Sequence, residues 1–319
     1  MSINQLAGPD RRIIFDLVRV SEQGALAAAR HRGRGNEENA DIAAVTALGA
    51  ELEKLDLSGT IIIGEPLGAP ALSVGTTIGN GNGPQVDIAV DPLEGPTLCV
   101  KDLPNALVAL VIADQGALLK CDGLKMEKLA IGGQYEPDLV HIDASPQDNI
   151  KALAAAKGVA PEDVTVCTLD RSRHARLIEA VRETGASLRL ISDGDIAGVI
   201  AAVMTHNTGI DMYMGIGGAP EGVIAASALR CMGGQMQGRM VMNDRSDAAM
   251  AEALGIAERG RIYALEDMVG GNLIFAASGI TDGMMLKGVR FARHMAISET
   301  IVMSSATGTQ RRIQTRHRL

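Results

Sequence analysis

Asp91 and Glu94 close an apolar run, Val86-Asp87-Ile88-Ala89-Val90-Asp91-Pro92-Leu93-Glu94-Gly95, and their spacing suits the binding of a hard cation where a strand leaves its sheet. The Val, Ile and Ala residues ahead of Asp91 predict a buried strand, Pro92 predicts its end, and Gly95 predicts a tight turn. Oxygen donors in that position suit Mg²⁺ or Mn²⁺. On its own such a turn reads as a solvated acidic strand end, so the remaining acids decide the matter. Glu65 follows an expected strand at 60–64, and Asp193 and Asp195 follow one at 187–191. Ligands gather at the carboxyl ends of strands in α/β sheets. Asp41 is expected to open a helix and Glu221 lies just after Pro220 at the start of another, where an acid also complements the helix dipole without further function.

The elements that must position these acids are legible in outline. Helices are expected over 10–30 and 40–55, the latter with Ile42, Val45, Leu48, Leu52 and Leu55 on one stripe. The Gly/Asn-rich run 78–84 predicts a plain turn. Segments 106–113, 117–120 and 126–131 predict consecutive antiparallel strands. Helix–strand alternation then follows: helix 144–157, strand 164–169, helix 175–184, strand 187–191 and helix 195–205, with parallel pairing expected. Strand 210–214 leads through Gly215-Ile216-Gly217-Gly218 into a helix at 219–232, and 273–278 supplies another strand. Arg311, Arg312, Arg316, His317 and Arg318 predict a final strand with a solvated basic face.

Composition narrows the class. The 319 residues are 46% hydrophobic, enough for a sizeable core in two domains or one large layered one. Aromatics are only 2% with no Trp, so Ala, Val, Ile, Leu and 15 Met must pack helices closely on sheets, which favours α/β architecture. A net charge of −8 argues against nucleic-acid or anionic-membrane partners. Cys99, Cys121, Cys167 and Cys231 are widely spaced with no C-x-x-C pair, which predicts free thiols in a reducing compartment. The N-terminus shows no apolar signal core and no apolar run reaches about eighteen residues, so a cytoplasmic protein is expected.

In combination the motifs resemble class II fructose-1,6-bisphosphatase, within the lithium-sensitive sugar and inositol phosphatase superfamily. The resemblance runs from Gly33-Arg34-Gly35 and Asn39-Ala40-Asp41 through Ile63-Gly64-Glu65, Ala69-Pro70, the Asp91 to Gly95 signature and Asn105-Ala106-Leu107. It continues with Met126-Glu127-Lys128-Leu129, Asp193-Gly194-Asp195, Gly215-Ile216-Gly217-Gly218-Ala219-Pro220-Glu221-Gly222 and Arg311-Arg312-Ile313-Gln314. It implies a layered αβαβα sugar phosphatase fold, with an N-terminal α+β metal-binding half at 1–155 and a C-terminal α/β substrate-binding half at 156–319. Asp41, Glu65, Asp91, Glu94 and Glu221 match the family's ligands for Mg²⁺ or Mn²⁺. Glu94, Gly95 and Pro96 fall at the phosphoryl site. Arg171, Ser172 and Arg173 match a segment meeting the second phosphate, and Asp193, Gly194, Asp195 and Gly218 match sugar contacts. The implied reaction is hydrolysis of the 1-phosphate of fructose-1,6-bisphosphate in gluconeogenesis, by a homodimer or homotetramer.

Four departures fall around that site. Pro66-Leu67-Gly68 replaces a longer acidic segment after Glu65, and Pro96 stands where the signature has a threonine whose hydroxyl orients the attacking water. Thr97 is one residue late for that role, Lys125 stands where a substrate-facing tyrosine is common, and Glu37 replaces a frequent lysine. Thr97 is therefore the candidate for the missing hydroxyl. Sedoheptulose-1,7-bisphosphate is the alternative substrate, and a noncatalytic sugar-phosphate-binding paralogue is the alternative class. His174 and His206 are expected to be satisfied surface residues.

Overall fold

The computed structural model describes residues 13–65, 70–256 and 258–319; the shortened segment after Glu65 and Ala69 lie outside the described residues. Two compact units divide the chain, one made of residues 1–120 and 269–319 and the other of 121–268. The chain thus leaves its first unit after Lys120 and returns to it at Val269, a division that differs from the expected boundary at 155/156. The reason is strand pairing: the C-terminal strands belong to the sheet begun by the N-terminal ones.

The first unit opens with α1 (Ile13–Ala29) and α2 (Glu37–Leu52). Asn36 caps α2, its side chain accepting from the Asn39 N–H at 2.9 Å, so the helix starts three residues before 40 and Asp41 sits inside it rather than opening it. Next come β1 (Ser58–Ile63), β2 (Thr77–Ile78), β3 (Gln85–Glu94), α3 (Pro96–Val100) and β4 (Leu107–Asp114). In the second unit the order is β5 (Lys125–Ile131), α4 (Pro146–Lys157), β6 (Thr165–Leu169), α5 (Ala175–Glu183), β7 (Ser187–Ile191), α6 (Asp195–Val203) and α7 (Thr205–Thr208). It continues with β8 (Met212–Gly218), α8 (Ala219–Met232), β9 (Gln235–Val241), α9 (Arg245–Ala253), β10 (Ile262–Ala264) and α10 (Leu265–Met268). The first unit is completed by β11 (Leu273–Gly279), β12 (Arg290–Ala292), β13 (Met295–Ser304) and β14 (Thr309–Arg318).

The result is a mixed α/β protein with two sheets, of order β12-β13-β11-β4-β3-β1-β2 with β14 on β13, and β10-β9-β5-β8-β6-β7. In the first sheet, among the described residues, only β1 and β3 run parallel. Val45, Leu48 and Leu52 of α2 are buried with Leu17 and Val18 of α1, Ile88 and Val90 of β3, and Leu110 and Ile112 of β4. In the second sheet β6 pairs parallel with β7 and β8, as the alternation predicts, but β5 lies antiparallel between β8 and β9. The expected antiparallel group at 106–131 is therefore split: β4 and β5 belong to different sheets, and 117–120 contributes only an isolated bridge, Leu118 to Val269. Leu129 and Ile131 face one side with Ile150, Leu153, Val166 and Val181. All four cysteines are free, with Cys99 pushed up to about 11 by burial. No helix among the described residues is long and apolar enough to cross a membrane.

Candidate functional site

Pro92 does not end β3. The strand runs on to Glu94, and its register on β4 shifts between Asp91, opposite Ala109, and Glu94, opposite Leu107. Pro92 and Leu93 face Val108 alone there, so Pro92 occupies a bulge, where its missing N–H costs no ladder bond. Asp91 Oδ1 accepts the Leu93 N–H at 3.1 Å, while Glu94 is buried at 6% exposure. Gly95 then turns the chain with φ of 76°, a conformation that favours glycine, and Pro96 starts α3, where a fixed φ suits the first helical turn.

The parallel pairing of β1 and β3 sets Ile63 beside Ala89, so Glu65 and Asp91 both lie two residues beyond a shared register point, Glu65 past the end of β1 and Asp91 still paired with Ala109 of β4. Asp41 comes from α2, which packs on β3 and α3. The Gly33 and Gly35 N–H groups donate to the Cys99 and Val100 carbonyls at 3.2 and 3.1 Å, fastening the loop before α2 to α3. That fastening brings Glu37 to Thr97, whose hydroxyl donates to Glu37 Oε1 at 2.7 Å. Two departures from the family pattern are therefore one contact. Burial first, and then the charges on Glu65 and Glu37, push Asp41 up to about 6.

In the second unit the candidate residues gather at one end of its sheet. Arg171, Ser172 and Arg173 follow β6, Asp193 and Asp195 follow β7, and Glu221 follows β8. Antiparallel register sets Lys125 opposite Gly218. Arg171 lies 3.7 Å from Asp193, and the Arg173 guanidinium donates twice to the Ile216 carbonyl, at 2.9 and 2.6 Å. His174 is buried at 2% exposure, so it is satisfied but not a surface residue. Its Nε2 accepts from the Ile216 N–H at 2.8 Å, and its Nδ1 lies 2.8 Å from the Leu169 carbonyl, to which it donates. These bonds specify the neutral ring, and burial, with Arg173 and Arg171 nearby, holds its proton affinity below the usual histidine value.

Asp195 is buried at 5% exposure and accepts from the ammonium of Lys128, a β5 residue that is itself 1% exposed. Within the Met126-Glu127-Lys128-Leu129 motif the sequence alone assigns Lys128 no role. A lone lysine at a buried strand position is the signal that could have found it. Glu221 stands in the first turn of α8, and its Oε2 is buried with no hydrogen-bond partner. Burial and the charges of Asp195 and Asp193 raise its proton affinity, against the lowering effect of Lys128.

The glycine block explains how these groups fit. Gly218 has φ of −67°, open to any residue, yet a Cβ there would lie 2.5 Å from the Glu221 Cδ and overlap its carboxylate. At Gly217 a Cβ would overlap Asp195 Oδ2 and sit 3.0 Å from Lys128 Nζ. The block is thus cleared for charged side chains, not for backbone freedom.

Among the described residues no three Asp, Glu, His or Cys side chains form a ready-made metal cluster. The donor set nevertheless fits a hard divalent cation: the candidate ligands are all carboxylates, Glu221 keeps a buried oxygen without a donor, and Asp41 is raised by burial and by the neighbouring acids Glu65 and Glu37.

The sequence pattern described as bacterial fructose-1,6-bisphosphatase, glpX-encoded, matches residues 11–317, and the chain belongs to that family. It is 37% identical over 324 residues to the D-fructose 1,6-bisphosphatase class 2/sedoheptulose 1,7-bisphosphatase of Prochlorococcus marinus strain MIT 9303, covering 97% of this chain and 96% of that one. A Synechococcus protein of the same name is 37% identical over 335 residues, with the same coverage of each. Among solved structures, the extragenic suppressor protein suhB from Bartonella henselae aligns at a TM-score of 0.35 and 16% identity, over 61% of this chain and 73% of that one.

Gly218→Ala should lower turnover by about 10²-fold with only a small drop in melting temperature, because its Cβ must displace the Glu221 carboxylate; wild-type turnover in a folded variant would remove Glu221 from the site. Asp41 bears on stability through linkage. Its folded-state proton affinity exceeds the ordinary 3.8, so its contribution favours folding at acid pH and is lost as pH rises through about 6. Metal-free Asp41→Asn should therefore melt above metal-free wild type at pH 8, the gap narrowing below about pH 6 and closing near pH 4. Thermal unfolding in chelator at both pH values measures it.

Proposed function

We propose that this protein hydrolyses the 1-phosphate of fructose-1,6-bisphosphate, with Mg²⁺ or Mn²⁺ held by carboxylates drawn from Asp41, Glu65, Asp91, Glu94 and Glu221. Membership of the family supports the reaction class. The observation that carries the reading is the Asp41 carboxyl, pushed up to about 6 by burial and then by the charges of Glu65 and Glu37. Carboxylates concentrated in this way raise one another's proton affinity, and a divalent cation offsets the repulsion. When bound, such cations lower the pKa of water and neutralise charge on phosphoryl oxygens.

The remaining steps belong to side chains. Thr97 spends its proton on Glu37, so its oxygen keeps lone pairs with which to accept a hydrogen bond from a water. This pair supplies the hydroxyl that Pro96 lacks, with Pro96 holding the first turn of α3. Arg171, Ser172 and Lys125, exposed at the strand ends of the second unit, would meet the distal phosphate and sugar. Arg173 would do so from its place on the Ile216 carbonyl. Asp193, Gly194, Asp195 and Gly218 would shape the sugar subsite. Sedoheptulose-1,7-bisphosphate is a second substrate for the same residues, a reading favoured by the double name of the cyanobacterial relatives. Both sugars present the same phosphorylated end. A homo-oligomer in the cytoplasm, serving gluconeogenesis, completes the proposal.

Purified protein with Mn²⁺ or Mg²⁺ should release one phosphate from fructose-1,6-bisphosphate, and chelator should abolish the release. Silence against both bisphosphates at high enzyme concentration would instead identify a noncatalytic binding paralogue. Thr97→Val should reduce kcat by about 10- to 10²-fold with little change in KM. An unaltered kcat would show that Thr97 does not orient the attacking water.

A further inference from the structure

We propose that Lys128 is a positioning residue: its buried ammonium, tied to Asp195 and set beside Glu221, fixes the aim of the Glu221 carboxylate toward a divalent cation. The inference rests on the reading of Glu221 as a metal ligand.

Lys128 lies in the middle of β5, a strand paired on both sides, and register places Gly215 of β8 and Gly238 of β9 directly opposite it. With no side chains on those cross-strand neighbours, the lysine stem has room on the face that packs against α6 and α8. α6 delivers Asp195 from its first turn, and α8 delivers Glu221 from its own. Gly222, one residue beyond Glu221, lets α8 approach the stem: a Cβ there would come within 3.1 Å of Lys128 Cε and 2.8 Å of Met126 Sδ. Gly217 and Gly218 clear the Asp195 and Glu221 carboxylates in the same way.

Three charged heads thus occupy space vacated by glycine side chains. A structural ion pair alone would not account for that arrangement, since a buried pair is commonly replaceable by apolar side chains of similar volume at little cost. The charge count points further. One ammonium faces two carboxylates, Asp195 directly and Glu221 nearby, with Asp193 also acting on Glu221. With both carboxylates ionised the trio carries one net negative charge. Asp195 accepts the Lys128 bond, and the remaining buried oxygen without a donor is Glu221 Oε2. Metal ligands held by such neighbours typically lose about 10- to 100-fold in metal affinity when the neighbour is removed.

The test compares wild type with Lys128→Met and with the charge-balanced Lys128→Met/Asp195→Leu. Each is titrated with Mn²⁺ alone, followed by loss of the free-ion paramagnetic signal, and folding is checked by circular dichroism and thermal unfolding. Coulomb's law alone predicts tighter Mn²⁺ binding once a nearby cation is removed. Positioning predicts the opposite, so Lys128→Met should bind Mn²⁺ about 10- to 100-fold more weakly. The double variant should stay weak as well, and it carries the test if the single variant fails to fold. Unchanged or tighter binding in Lys128→Met overturns the inference, as does wild-type affinity in the double variant, which would make Lys128 merely the counter-charge of Asp195. Wild type that binds no Mn²⁺ overturns the metal reading and this inference together; wild-type binding that the variants leave intact overturns this inference alone.

Discussion

Repulsion between gathered carboxylates is the constraint on which the rest depends. Burial raises the proton affinity of Asp41 most, and Glu65 and Glu37 lie close enough to raise it further. A fold that brings such groups together gives up stability at neutral pH unless opposite charge arrives. In the first unit no lysine or arginine accounts for the Asp41 shift, which runs upward from burial and acids alone. In the second unit the chain supplies its own cation, Lys128, for Asp195 and Glu221. The acids that follow strands, Glu65 in the first unit and Asp195 and Glu221 in the second, stand at carboxyl ends.

Strand direction explains that placement. β1 and β3 are the parallel pair within an otherwise antiparallel sheet, and their shared direction puts Glu65 and Asp91 at the same edge. β6, β7 and β8 are the parallel set of the second sheet, and the segments carrying Arg171, Asp193 and Glu221 follow their ends. Where strands run parallel, successive loops collect on one side, and side chains on those loops can act jointly. The antiparallel partner β5 reverses the logic by bringing its beginning, Lys125, to the same edge.

Much of the frame was legible from period and punctuation. Helix 219–232, strand 187–191 and the final basic strand follow directly from apolar spacing and from glycine and proline placement. Asp41 illustrates a boundary that did not: a stripe starting near 40 marks the buried face, whereas Asn36 capping starts the helix earlier. Pro92 illustrates a local rule overridden by context, because a bulge accommodates proline without ending the strand. The partners of β4 and β5 were beyond local pattern altogether. A strand's neighbours are set by distant segments, here β11 for one and β8 and β9 for the other.

By itself the sequence determined the oxygen-donor chemistry, the glycine block ahead of Glu221, and the order of motifs that defines the family, because residue type and short spacing are local properties. Only the tertiary structure decided that Lys128 lies among acids, that Thr97 meets Glu37, and that His174 is buried on the Ile216 peptide. Those outcomes depend on strand register and helix approach, which bring together residues 67, 60 and 42 positions apart. Coulomb and hydrogen-bond forces act over a few ångströms in space, whatever the distance along the chain.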